Sequence, residues 1–168
     1  MLKGIDPLLH ADLLHALRAM GHGDEIAVVD ANFPAAAMAR RLIRLDGIDA
    51  TRAVEAILGL LPLDDFVERP ASRMQVVGDA KAVPPICREF QALVDIAAGR
   101  SLPLAAIERH QFYERVRHCY AVVVTGEIRL YGNLILTKGI IRPVGDPVGD
   151  PAGDTNRPAV RGTHRRKN

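Results

Sequence analysis

The sequence predicts an α/β fold, a single domain whose sheet is covered on both faces by helices. Three observations point there. Short apolar runs alternate with stretches of helical periodicity through residues 1–142. The runs at residues 26–29 and 120–125 are almost wholly apolar, the pattern of strands buried on both faces. The chain has 168 residues, 48% of them hydrophobic and 25% charged, which suits one domain with a substantial core.

Each element has its own signal. Leu8, Leu9, Leu13, Leu14, Leu17 and Met20 recur at helical spacing, with Pro7 at the start and Gly21 at the C′ position. His10 and His15 fall on the solvated side of that helix. Residues 26–29, β-branched or small, form a strand that ends at Asp30. Pro34 and the alanines after it predict a short helical turn, followed by a strand at residues 42–45 and a turn at Asp46-Gly47. Asp49 or Thr51 caps the next helix, whose apolar positions are Val54, Ile57, Leu58 and Leu61. Residues 63–66 are a loop carrying two carboxylates, Asp64 and Asp65, and a strand is expected at residues 74–77. Pro84-Pro85 opens a helix through Phe90, Leu93, Val94 and Ala97, which Gly99 stops. Residues 103–108 follow neither period. Residues 110–117 read as a helix with Phe112 and Val116 on one face. Residues 120–125 are the clearest strand, and Tyr131-Gly132-Asn133 leads into the last one, residues 134–136.

The ends and the charge narrow the function. Residues 143–168 hold three Pro-Val/Ala-Gly-Asp units and a basic end, a composition that buries no apolar surface and is expected to be disordered. That tail carries five Lys/Arg and three Asp, so of the 22 basic and 20 acidic residues the body keeps 17 of each. A neutral body, in a chain with no Trp and 4% aromatics, gives no nucleic-acid surface. No apolar run approaches the roughly 20 residues of a membrane span, and the expected location is the cytoplasm. Cys87 and Cys119, far apart and set in apolar stretches, read as buried free thiols.

Familiar chemistries are missing. There is no GxGxxG or GxxxxGK[ST] phosphate loop, no Gly-x-Ser-x-Gly elbow, no HExxH and no CxxC pair. No cofactor or metal is expected. What remains is a set of polar residues at strand edges: His22, Asp30, Asp64, Arg109, Tyr113, Tyr131 and Asn133. Glycine on both sides of His22 allows close approach to a ligand. An acid/base imidazole with carboxylate, amide, phenol and guanidinium partners suits a small polyhydroxylated ligand such as a sugar. Bland readings stand beside these. Asp30 could cap the following turn, Arg109 could pair with Glu108 or Glu114 on the surface, and Met74 could be core.

Five short motifs in order carry a resemblance: Gly21-His22-Gly23-Asp24-Glu25, Asp30-Ala31-Asn32-Phe33-Pro34, Phe112-Tyr113-Glu114-Arg115, Thr125-Gly126-Glu127 and Tyr131-Gly132-Asn133. Together they resemble the L-fucose mutarotase family, within a superfamily that also holds D-ribose pyranases, and they span residues 1 to about 140. The resemblance implies a three-layer α/β/α fold with a mixed central sheet, a homo-oligomer (often a ring-based decamer), and interconversion of the α and β anomers of a free sugar. It implies that His22 is the proton donor. It further implies sugar contacts at Asp30, Met74, Arg109, Tyr113, Tyr131 and Asn133, and a catalytic role for Asp64. Pyranase activity on D-ribose, or sugar binding without catalysis beside a transporter, are the alternatives.

One geometric consequence follows for the first motif. A strand rises about 3.3 Å per residue, so Glu25 to Asp30 spans roughly 16 Å, longer than a monosaccharide. Unless the chain around His22 folds back, His22 and Asp30 can share a sugar only across a subunit interface.

Overall fold

Strand β1 (Glu25–Val29) is the one against which the rest of the sheet is laid. The computed structural model describes residues 2–143; apart from Pro143, the expected disordered tail at residues 143–168 lies outside the described residues. The remaining strands are β2 (Leu42–Leu45), β3 (Ala71–Met74), β4 (Ala105–Ile107), β5 (Ala121–Thr125) and β6 (Leu134–Thr137). The helices are α1 (Ala11–Ala19), α2 (Ala35–Met38), α3 (Ala50–Leu58), α4 (Pro85–Ala98) and α5 (Arg109–His118). The sheet order is β2-β5-β1-β6-β3-β4. β6 runs antiparallel to both neighbours, and the other pairings are parallel, so the sheet is mixed.

Alternation along the strands makes the three layers. Ile26 and Val28 pack with Val123, Leu134 and Leu136 against α1, α3 and α4. Ala27 and Val29 pack with Val122, Val124 and Ile135 against α2 and α5, through Ala35, Phe112 and Val116. Both faces of the central strands are therefore dry, as their near-continuous apolar runs require.

Helix ends follow local chemistry. The Asp49 carboxylate accepts from Arg52 N at 2.7 Å and starts α3. Glu108 accepts from the backbone N–H of His110 and Gln111 and starts α5. Pro85 opens α4, and Gly99 closes it at φ +65°.

Four expectations shift. α1 begins at Ala11 with His10 as its N-cap, leaving Pro7 in the turn before it. Gly21 follows the C-cap Met20, but the left-handed residue is Gly23, at φ +82°. The strand expected at residues 74–77 lies three residues earlier, as β3, and Val77 is exposed. Its polar residues Ser72 and Arg73 are buried, with Ser72 Oγ accepting from Arg115 Nη1 at 2.9 Å. A buried, satisfied serine and arginine hide a strand from any apolar count. The undecided residues 103–108 contain β4, a three-residue edge strand. Both cysteines are buried and free. Among the described residues no helix is long and apolar enough to cross a membrane.

Candidate functional site

His22 sits at the tip of the turn between α1 and β1. Met20 leaves the helix in extended conformation, Gly21 N donates to Asp24 Oδ2 at 2.7 Å, and Gly23 reverses the chain. The imidazole is half exposed, at 44%. Its Nε2 lies 3.1 Å from Oδ1 of Asp64, a carboxylate only 4% exposed. Asp64 reaches it from the loop after α3, held by its own N–H on Thr137 O at 3.1 Å. The same Oδ1 accepts from Phe66 N at 3.0 Å, and the Phe66 ring leans on the imidazole with centroids 5.0 Å apart. With the Asp64 oxygen as acceptor the contact places a proton on Nε2 and leaves Nδ1 with no hydrogen bond among the described residues.

The other polar residues gather elsewhere. Asp30, Met74, Arg109, Tyr113, Tyr131 and Asn133 line one cavity of about 200 Å³, joined by Asn32, Phe33, Val77 and Leu130. Asp30 and Asn133 exchange two hydrogen bonds: Asn133 Nδ2 donates to Asp30 Oδ2 at 2.7 Å, and Asp30 N donates to Asn133 Oδ1 at 3.1 Å. Asn32 N donates to Asp30 Oδ1 at 3.0 Å, so the turn-capping role coexists with the cavity position. Burial pushes the Asp30 carboxyl above its ordinary value, opposed by the Asn133 and backbone hydrogen bonds.

Tyr131 is strained into place. Its φ of +66° is the one positive value at a non-glycine among the described residues, and its hydroxyl accepts from Val77 N at 3.1 Å. Such a conformation costs about 1 kcal/mol or more and persists where the surroundings impose it. Gly132 leaves little room for a side chain: a Cβ there would lie 2.7 Å from Glu127 Cγ and 3.0 Å from Ile86 Cδ1, so those side chains would have to shift. Arg109 is the first residue of α5, exposed, and makes no ion pair among the described residues. The surface pairing considered for it does not form. Glu108 caps the helix and Glu114 pairs with Arg117 at 3.3 Å. Tyr113 packs edge-on against Phe33 at 5.2 Å.

The two groups occupy opposite ends of one ribbon. In the β1–β6 pairing Glu25 faces Thr137 at the His22 end, and Val28 faces Leu134 next to Asn133 at the other. The chain near His22 does not fold back toward Asp30. Phe66, Asn32, Val77 and Leu130 carried no assignment from sequence, although each adjoins a residue that did. A larger cavity, about 540 Å³, lies beside α1 between Leu14, Leu17, Leu60 and Pro62. Its polar lining is limited to Arg18, Lys138 and Gly139, too little to read a polyhydroxylated ligand. No group of three or more His, Cys, Asp or Glu among the described residues could hold a metal ion.

Residues 3–141 match the model of the RbsD / FucU transport protein family. The chain belongs to this family. Among its relatives, human fucose mutarotase is 47% identical over 146 residues, covering 83% of this chain and 94% of that protein. L-fucose mutarotase of Glaesserella parasuis is 45% identical, covering 83% and 96%. The crystal structure of the fucose mutarotase of Streptococcus pneumoniae, in complex with L-fucose, superposes with a TM-score of 0.79 at 39% identity, covering 84% of this chain and all of that one. The RbsD / FucU match spans both ends of the ribbon, the His22–Asp64 pair and the Asp30 cavity alike.

Proposed function

We propose that the protein is a sugar mutarotase that interconverts the α and β anomers of a free monosaccharide, L-fucose first, in the cytoplasm. The observation that carries this is the His22–Asp64 pair, an outward-facing imidazole with one nitrogen held by a buried carboxylate. The chain's 47% identity over 146 residues with human fucose mutarotase supports the same reading.

Ring opening needs a proton on the ring oxygen and the loss of one from the anomeric hydroxyl; the C1–O5 bond then breaks to the aldehyde. Rotation and closure on the other carbonyl face reverse both transfers. His22 as imidazolium donates from Nδ1 to the ring oxygen, while Asp64 stabilises its charge from Nε2. Asp64 is hydrogen-bonded to the imidazole, so it acts through His22. A water organised by the tyrosines takes the second proton. Acid/base help of this kind is worth about 10²–10⁴-fold. Asp30 and Asn133 accept from and donate to sugar hydroxyls, Arg109 brings a guanidinium with no ion pair among the described residues, and Met74, Tyr113 and Tyr131 supply walls.

The complete site is assembled between copies of the chain, with His22 of one protomer closing on the cavity of its neighbour in a homo-oligomer, a decamer in the fullest form. Exposed apolar side chains support this at both ends: Phe66 beside His22, Val77 and Leu130 on the cavity.

Saturation-transfer NMR on L-fucose should show faster exchange between its anomeric signals. Wild-type protein that accelerates no aldose would refute the proposal, and binding without exchange would make it a sugar-binding module. D-ribose in the same experiment tests the pyranase alternative. Mixing inactive His22→Ala chains with weakened Arg109→Ala chains should give more activity than the sum of the two alone, since mixed assemblies regain intact sites. Absence of any recovery would remove the shared site.

A further inference from the structure

Three consecutive residues at the end of β6 hold both loops of the catalytic pair. Thr137 O accepts from Asp64 N at 3.1 Å, and Gly139 N donates to Pro62 O at 2.8 Å, so the Asp64 loop is pinned on both sides. Leu63 forms a bridge with Lys138 between these two bonds. Lys138 does the same for the His22 turn. Its carbonyl accepts from Gly23 N at 2.8 Å, and its N–H donates to Asp24 O at 2.9 Å. Its ammonium reaches back to donate to Leu17 O at 2.8 Å and to Met20 O at 2.6 Å.

Those two carbonyls belong to the C-terminal end of α1, where carbonyls lack helical partners and the helix dipole favours a cation. The side chain thus fixes the chain on the N-terminal side of His22, as the backbone of the same residue fixes it on the C-terminal side. Gly139 contributes by having no side chain. A Cβ there would lie against Leu63 O, 2.7 Å from Leu63 C and 2.8 Å from Asp64 Cα. All three are backbone atoms, so Asp64 itself would have to move.

We propose that Lys138 and Gly139 are positioning residues for the His22–Asp64 pair: Lys138 sets the imidazole and Gly139 admits the carboxylate to within hydrogen-bond reach. The proposal rests on the mutarotase reading for its effect on rate but not for its effect on the imidazole. Neither residue touches the sugar cavity. Burial also lowers the Lys138 ammonium below its ordinary value, consistent with a cation held against the protein rather than in water.

The test follows the ring nitrogens of His22 by ¹⁵N NMR on the intact protein, beside exchange kinetics on L-fucose. In wild type the neutral ring should carry its proton on Nε2. Lys138→Met and Gly139→Ala should each mix the two tautomers and lower kcat about tenfold or more, with KM changed less than twofold. Lys138→Arg, which keeps a cation, should recover part of both signals. An unchanged tautomer in folded Lys138→Met and Gly139→Ala protein overturns the proposal, as does a mixed tautomer with full kcat while His22→Ala is inactive. If one variant does not fold, the other decides. Failure of the mutarotase reading shows separately, as full exchange by His22→Ala.

Discussion

Asp30 shows how one residue can be legible as chemistry and illegible as geometry. Its place at the end of an apolar strand and within a motif marks it in the sequence, but its reciprocal bonds with Asn133, 103 residues away, are a product of the fold. So is the raised carboxyl, since burial is its main cause. Folded Asp30 binds a proton more readily than unfolded Asp30. Its contribution to stability is therefore full below the unfolded value, about 3.9, and is lost as pH rises through the higher folded value. Asp30→Asn cannot titrate, and its amide would face Asn133 Nδ2 donor to donor, an offset independent of pH. Urea unfolding should then show the stability of wild type relative to Asp30→Asn falling as pH climbs from about 4 toward neutrality. A difference that rises over that interval would contradict the burial argument. Arg109 poses the opposite case, a charge with no ion pair among the described residues. Arg109→Ala should alter stability by no more than about 0.5 kcal/mol. Loss of a charged hydrogen bond to the sugar, about 1.5–3 kcal/mol, should lower kcat/KM roughly 10- to 100-fold in the exchange assay.

At the scale of elements, the helices and the central strands were readable because their signals are local. Caps, prolines, glycines and a consistent period all lie within the segment itself, as in α4 with Pro85 and Gly99. β3 lies away from the expected position because Ser72 and Arg73 are both buried, Ser72 by virtue of a partner distant in sequence. Arg115 is the main partner. It forms a forked pair with Glu25 at the start of β1, through Nε at 2.9 and 3.0 Å, and donates to Ser72 Oγ. Thr137 Oγ1 completes the group on Glu25 at 3.3 Å. One guanidinium thus ties α5, which carries Arg109 and Tyr113, to β1 and β3. Arg115→Met keeps the apolar stem and removes the charge-assisted bonds, leaving Glu25 unpaired. It should cost about 1.5–3 kcal/mol in urea unfolding. Because α5 is then free to shift over the cavity, KM for the sugar should rise as well. Unchanged stability would mean that the Phe112 and Val116 anchors alone hold the helix.

For the whole molecule the decisive quantity is the length of β1. Glu25 at its start and Asp30 just past its end adjoin different parts of the proposed site and lie about 16 Å apart along the chain. A monosaccharide bound at one end cannot touch the other, so activity should belong to the assembly and not to the protomer. The surface agrees in kind. Leu130 on the cavity rim is 68% exposed and Phe66 beside His22 is 64% exposed, large apolar side chains left in water by a single copy. Covering one such side chain is worth about 1.5–3 kcal/mol. A charge at Leu130 forfeits that and adds a desolvation cost, so Leu130→Asp should weaken association by at least about tenfold per contact. Sedimentation velocity should show smaller species at concentrations where wild type is assembled, and exchange activity per chain should fall in parallel. Dilution of wild type should trace the same curve, with specific activity dropping where the assembly dissociates. Leu130 also lines the cavity, so dilution is the cleaner arm: it leaves every side chain in place. Full activity in wild-type protein diluted to protomers would mean that one chain completes the site alone, and the shared-site assignment of His22 would fall with it.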